Sequence, residues 1–118
     1  MSEAVCPCCG SVVSRSALPD EVELAEAMDR LRIDKRTTAL LFLILWRAGG
    51  RTLTHDTIMD QVDRLNGRET TESGLRTAKK HLAKAVAAYP VQIKSRWGIG
   101  YRMIRQDPSW DWRDLPIT

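Results

Sequence analysis

The run from Val91 to Ile104, VQIKSRWGIGYRMI, constrains the fold of this chain more than any other segment. Apolar residues alternate with polar ones into Ser95, and again through Trp97, Ile99, Tyr101 and Met103, with Arg96-Trp97-Gly98 between the two runs. A period of two puts successive side chains on opposite faces of a strand, so the pattern predicts a two-stranded hairpin with a basic, aromatic tip. Whatever precedes it must cover one face of that hairpin.

The preceding sequence supplies helices. Leu18-Pro19-Asp20 is a helix-start signal, and Leu24, Met28 and Leu31 recur at helical spacing from Asp20 to about Arg32. Asp34 is placed to cap a second helix, Lys35 to Ala48, which contains the run ALLFLILW and is apolar on most sides; Gly49-Gly50 ends it. Thr54 is the expected N-cap of a third helix, His55 to Leu65, with Ile58, Val62 and Leu65 inward and Met59 flanking them. Asn66-Gly67 stops that helix and Arg68-Glu69-Thr70 makes the turn. Thr70 or Thr71 caps a fourth helix reaching about Ala88, with Leu75, Ala78, Leu82, Ala85 and Val86 inward. Gly74 costs this helix about 1 kcal/mol against alanine, which suggests a position where another backbone approaches closely. Pro90 ends the helix before the hairpin. The expected fold is therefore mainly α with a small β hairpin, a winged helix-turn-helix. Residues 1–19 form a Cys-containing segment, 20–105 the domain with an extra N-terminal helix, and 106–118 a tail carrying Trp110 and Trp112.

Charge is distributed unevenly over this plan. Residues 1–33 hold three Lys/Arg against six Asp/Glu, whereas residues 68–102 hold eight against two. The basic charge thus concentrates in the fourth helix and the hairpin, the electrostatic footprint of a phosphate-binding surface; the bland alternative is a solvated basic face. A chain of 118 residues has room for one such domain. No signal-peptide pattern opens it, and ALLFLILW is far short of the roughly 20 residues a bilayer span needs. The expectation is a cytoplasmic, nucleoid-associated protein with no membrane partner.

The outward face of the fourth helix carries Ser73, Arg76, Thr77, Lys80 and Lys84, with Lys79 beside them. A helix of this kind fits the major groove, where each base pair presents its own donor and acceptor pattern. Lys79, Lys80 and Lys84 suit phosphates; Arg76 suits a bidentate contact to guanine, worth ~1–3 kcal/mol of discrimination. Arg96 at the hairpin tip suits a narrow minor groove. Arg68, Thr70, Glu72, Lys94 and Trp97 complete the candidate DNA-binding set. For Trp97, packing and DNA contact stand as equal alternatives.

From about Ile33 to Ile104 the chain resembles the OmpR/PhoB-type winged-helix effector domain of bacterial response regulators. IKSRWGIGYRM is similar to that family's I-x-T-V-R-G-x-G-Y-R-φ, with Ile93, Gly98, Gly100, Tyr101, Arg102 and Met103 on matching positions. Thr70–Leu82, TTESGLRTAKKHL, resembles the family's T-V-D-V-H-I-x-R-L-R-K-K-L. The resemblance implies a recognition helix whose Thr70, Glu72, Ser73, Thr77 and Lys79 contact DNA, with Arg76 and Lys80 close by. It also implies a wing that sends an Arg into the minor groove; that position is Trp97 here, preceded by Arg96. Glu69 stands where the family often has Arg, with Arg68 one step earlier. The 118 residues leave no space for a receiver domain, so phosphorylation control of the usual kind is not implied.

Cys6-Pro7-Cys8-Cys9-Gly10 has the shape of half a zinc knuckle, with Cys6 and Cys9 as candidate ligands. A tetrahedral site needs four ligands, and the chain has no second C-x-x-C; two chains could share one zinc, or the segment could be a tail without metal. No cofactor is otherwise expected. No nucleophile, base and phosphate-loop constellation marks an enzyme. The leading expectation is a sequence-specific regulator of double-stranded DNA, able to act as a homodimer and to meet RNA polymerase or another regulator. The alternatives are an adaptor that docks proteins through the basic face or the Trp110/Trp112 tail, and a non-specific architectural DNA-binding protein.

Overall fold

The computed structural model describes residues 19–67, 70–96 and 98–117. Four α-helices run in chain order as α1 (Glu21–Leu31), α2 (Arg36–Arg47), α3 (His55–Asn66) and α4 (Glu72–Ala85). Three strands, β1 (Leu53–Thr54), β2 (Val91–Arg96) and β3 (Gly100–Arg105), form an antiparallel sheet in the order β1-β3-β2. One 3-10 turn, Trp112–Asp114, follows.

Helix α2 is the axis of the core. Every residue from Thr38 to Leu45 is buried, so the helix meets protein on all sides, as its unbroken apolar run predicts. Helix α1 covers one side through Leu24, Ala27 and Leu31. Its N-cap is Asp20, whose carboxylate accepts from the Glu23 amide at 2.7 Å, and Glu21 and Glu23 complement the positive end of the helix. The N-cap of α2 is Lys35, without a side-chain capping bond, and not Asp34 as the sequence suggested. Asp34 lies one residue too early for its carboxylate to serve the first-turn amides. Arg36 instead ties this end down: it donates to Glu21 on α1, to Asn66 Oδ1 at 2.7 Å and to the Leu65 carbonyl at 3.1 Å on α3.

The predicted hairpin is present, with Val91 opposite Arg105, Ile93 opposite Met103 and Ser95 opposite Tyr101. The sheet has one strand more than the sequence suggested. β1 is only two residues long, too short to show a period, and pairs Leu53 with Tyr101 and Thr54 with Gly100. An ideal Cβ on Gly100 would lie 1.7 Å from the Leu53 carbonyl oxygen, so only glycine lets β1 come this close. Gly74 plays no such part. A Cβ there would meet the Thr71 Oγ1 at 3.2 Å and no approaching backbone.

Helix α4 stops at Ala85, three residues before its expected end. Val86 leaves helical geometry (φ −96°, ψ 3°), and Pro90 disfavours the α conformation at Tyr89, so the chain turns before β2. The segment after β3, expected to be a tail, is built into the body. Trp112 is fully buried, edge-on to Phe42 at 6.3 Å. Trp110 stacks on Tyr89 at 5.4 Å and meets Trp46 edge-on at 5.7 Å. Arg30 on α1 donates to the carbonyls of Arg113 and Leu115, and the Arg105 guanidinium lies 4.2 Å over the Trp46 ring while donating to the Pro108 and Trp110 carbonyls.

Candidate nucleic-acid interface

The face that carries the candidate residues is assembled by the turn between α3 and α4 and by the hairpin. Gly67 ends α3 in the left-handed region (φ 72°), where glycine has no Cβ penalty. Asp63 then accepts from the Thr70 amide at 2.7 Å, and the Thr71 hydroxyl caps α4 by accepting from the Gly74 amide at 3.0 Å. Of the two threonines read as capping candidates, Thr71 is the cap. With Leu75, Ala78 and Leu82 turned into the core, the 3.6-residue period leaves Ser73, Arg76, Thr77 and Lys80 outward over a helix about 21 Å long.

The hairpin is fixed beside α4 by two contacts to the α3 region. β1 pairs with the base of the turn at Gly100, and the His55 amide donates to the Ile99 carbonyl at 3.0 Å. The His55 ring meets Tyr101 edge-on, with centroids 5.0 Å apart. Between α4 and the hairpin lies an open cleft of about 850 Å3. It brings together seven of the predicted residues: Glu72, Ser73, Arg76, Thr77, Lys79, Lys80 and Arg96. His55, Ser95, Gly98 and Tyr101 also line it, and sequence reasoning missed them. Ser95 and Tyr101 face the same side once the register is known; His55 carries no pattern signal, since its place depends on the β1 crossing.

The other predicted residues lie elsewhere. Thr70 sits at the turn, beside a concavity that also holds Asp56, Asp60 and Asp63. Lys84 is exposed one turn further along α4. Lys94 alternates with Ser95 and pairs with Arg102, so it belongs to the opposite face of the sheet. Arg68, Trp97 and the cysteines Cys6 and Cys9 lie outside the described residues. Among the described residues no group of three or more His, Cys, Asp or Glu side chains could hold a metal ion, and no helix is long and apolar enough to cross a membrane.

The electrostatics of this face differ from the rest of the molecule. Elsewhere most arginines are engaged internally, Arg36 with Glu21, Arg47 and Arg113 with Glu23, and Arg30 and Arg105 with backbone carbonyls, whereas Arg64 meets Asp60 only across exposed side chains and Arg32 and Arg102 have no ion-pair partner among the described residues. On α4 and the hairpin, Lys79, Lys80, Lys84, Lys94 and Arg96 have no ion-pair partner among the described residues. Arg76 approaches Glu72 at 3.5 Å, but both side chains are largely exposed (74% and 66%), so the pair is weak and separable. Tyr101 beneath them is held above its usual pKa, chiefly by burial; Arg76 pulls the other way and Glu72 adds to the rise. The cleft therefore sets the neutral Tyr101 phenol and exposed hydroxyls beside several cations and the single carboxylate of Glu72. No protein-family model, curated protein or solved structure matches the chain.

Proposed function

We propose that this chain is a winged helix-turn-helix protein that binds double-stranded DNA sequence-specifically and regulates transcription, with α4 in the major groove and the hairpin tip at the adjacent minor groove. The observation that carries this reading is the segregation of cations. Most arginines remote from the cleft, Arg32 and Arg102 excepted, are tied to carboxylates or carbonyls, while Lys79, Lys80 and Lys84 of α4 and Arg96 of the hairpin have no ion-pair partner among the described residues. Unpaired cations on one face are what a polyanion requires, because each phosphate neutralised releases counterions. The helix pair with its short turn and the adjoining hairpin support the same reading, as does the resemblance of TTESGLRTAKKHL and IKSRWGIGYRM to the OmpR/PhoB-type domain. Trp112 is internal and Trp110 half-buried, so of the two docking surfaces of the adaptor reading the basic face is the more open one.

The test is selection from random duplexes in ~150 mM salt, where weak phosphate contacts are screened. A regulator enriches one motif and prefers it over random DNA by ~10³ or more. Arg76→Ala with Lys80→Ala weakens binding and flattens its salt dependence. Unchanged binding in that double variant overturns the reading, and bulk binding without enrichment transfers it to an architectural role.

A further inference from the structure

The outer face of the hairpin holds a feature that the cleft does not use. Strand alternation puts Gln92, Lys94 and Arg96 of β2 on the face opposite Ile93 and Ser95, although Arg96, next to the turn, also lines the cleft, and the register sets Lys94 directly across from Arg102 of β3. Gln92 likewise faces Ile104. The Gln92–Ile104 and Lys94–Arg102 pairs thus hold two cations side by side and no carboxylate. Like charges directly opposite each other on an antiparallel pair destabilise a sheet. The Arg102 Nε is also buried without a hydrogen-bond partner, so its guanidinium is incompletely satisfied. Arg105, one pair further back, has its guanidinium fully occupied by carbonyls and the Trp46 ring. Lys94 and Arg102 are therefore two cations in facing register with no ion-pair partner among the described residues.

We infer that Lys94 and Arg102 bind the sugar-phosphate backbone of the far strand of the same minor groove that the hairpin tip enters, so that the duplex is held on both faces of the hairpin. The inference rests on the DNA-binding reading. Its geometry follows from strand dimensions. The Lys94–Arg102 pair stands two residues behind the Arg96–Gly100 pair at the tip, about 7 Å back along the strand. A minor groove is about 6 Å wide, too narrow for a two-stranded backbone, so only a tip side chain such as Arg96 enters it and the Lys94–Arg102 pair behind stays at the level of the phosphates. The inner face, with Ser95 and Tyr101, then meets the strand that separates the two grooves. The outer face meets the strand across from it. A phosphate between Lys94 and Arg102 removes their repulsion.

The experiment uses the full chain on the duplex selected above and measures Kd against salt for Lys94→Gln, Arg102→Gln and Arg102→Lys, with hydroxyl-radical footprints and the melting temperature of the free protein. Each lost phosphate contact lowers the slope of log K against log salt by about 0.9, equivalent to about a fivefold weaker Kd at ~0.15 M salt. The expected pattern is opposite in sign for the two readouts of Lys94→Gln: weaker binding with lost protection on the far strand, and a free protein at least as heat-stable as the parent. Arg102→Lys keeps the slope if charge is what counts, and Arg102→Gln is read only if it melts within a few degrees of the parent. Unchanged slope and footprint in Lys94→Gln overturn the inference while leaving the α4 reading intact. If Arg76→Ala with Lys80→Ala has no effect, the underlying DNA-binding reading fails instead.

Discussion

Replacing Gly100 by alanine would put a methyl carbon 1.7 Å from the Leu53 carbonyl oxygen, 2.7 Å from its carbon and 2.8 Å from the Thr54 Cα. All three are backbone atoms, so no rotamer change relieves the clash, and β1 must separate from β3. Overpacking of this kind costs about 1–3 kcal/mol. Separation also breaks the pairing of Leu53 and Thr54 with β3 and strains the His55–Ile99 bond, each such bond being worth about 1 kcal/mol. The total, about 3–5 kcal/mol, is a large part of the 5–15 kcal/mol that holds a typical domain together. At 4–8 °C per kcal/mol for a domain near this size, Gly100→Ala should melt at least about 12 °C below the parent. Gly98→Ala is the control. Gly98 also has positive φ (72°), but nothing lies within 4 Å of a Cβ there, so only left-handed strain of about 1–2 kcal/mol applies. Thermal melts of the two variants by circular dichroism decide the matter. If Gly100→Ala melts no lower than Gly98→Ala, the β1 contact is not what the glycine serves.

Three further outcomes are expected. Trp112→Ala should lose about 3–5 kcal/mol in urea denaturation, the cost of emptying a large fully buried site, where a dispensable tail would lose nothing. Thr71→Ala should cost about 1 kcal/mol by removing the α4 cap and Thr70→Ala much less; equal losses would mean that the Thr71–Gly74 bond does not hold the helix end. Burial raises the pKa of Tyr101 in the folded state, so its contribution to stability is complete below the unfolded value, about 10, and is lost as pH rises through the folded value. Spectroscopic titration in a Tyr89→Phe background should find a midpoint above 10, and a midpoint at or below it would contradict the burial.

The sequence was legible wherever a local rule decides conformation. Thr54 caps as read, α1 begins at the Leu18-Pro19-Asp20 start signal, Gly67 ends α3, and the hairpin has the alternation its residues predict. Seven of the candidate contacts meet in one cleft because helical period and strand alternation are local properties. What escaped is long-range. A two-residue strand has no pattern, and β1 is recognisable only from its pairing with β3 some fifty residues later. Trp110 and Trp112 stand among Asp, Pro and Arg, so their neighbourhood reads as loop, and only the gap beside Phe42 and Trp46 explains them. The charge of Lys94 puts it in the candidate DNA-binding set without saying on which face it lies; the register sets it across from Arg102, opposite Ser95.

The seating of Trp112 against Phe42 and the grip of Arg30 on the Arg113 and Leu115 carbonyls also bear on how the protein is made. The first helix and the last turn of the described chain are mutual neighbours, so the core lacks a wall until synthesis has delivered both. A nascent chain ending at Arg105 has its helices and hairpin but an open apolar face around Phe42, available to a chaperone and to other nascent chains. On these contacts folding is expected to be completed only after residues 112–115 leave the ribosome, and a force-sensing arrest profile should stay flat until those residues have emerged.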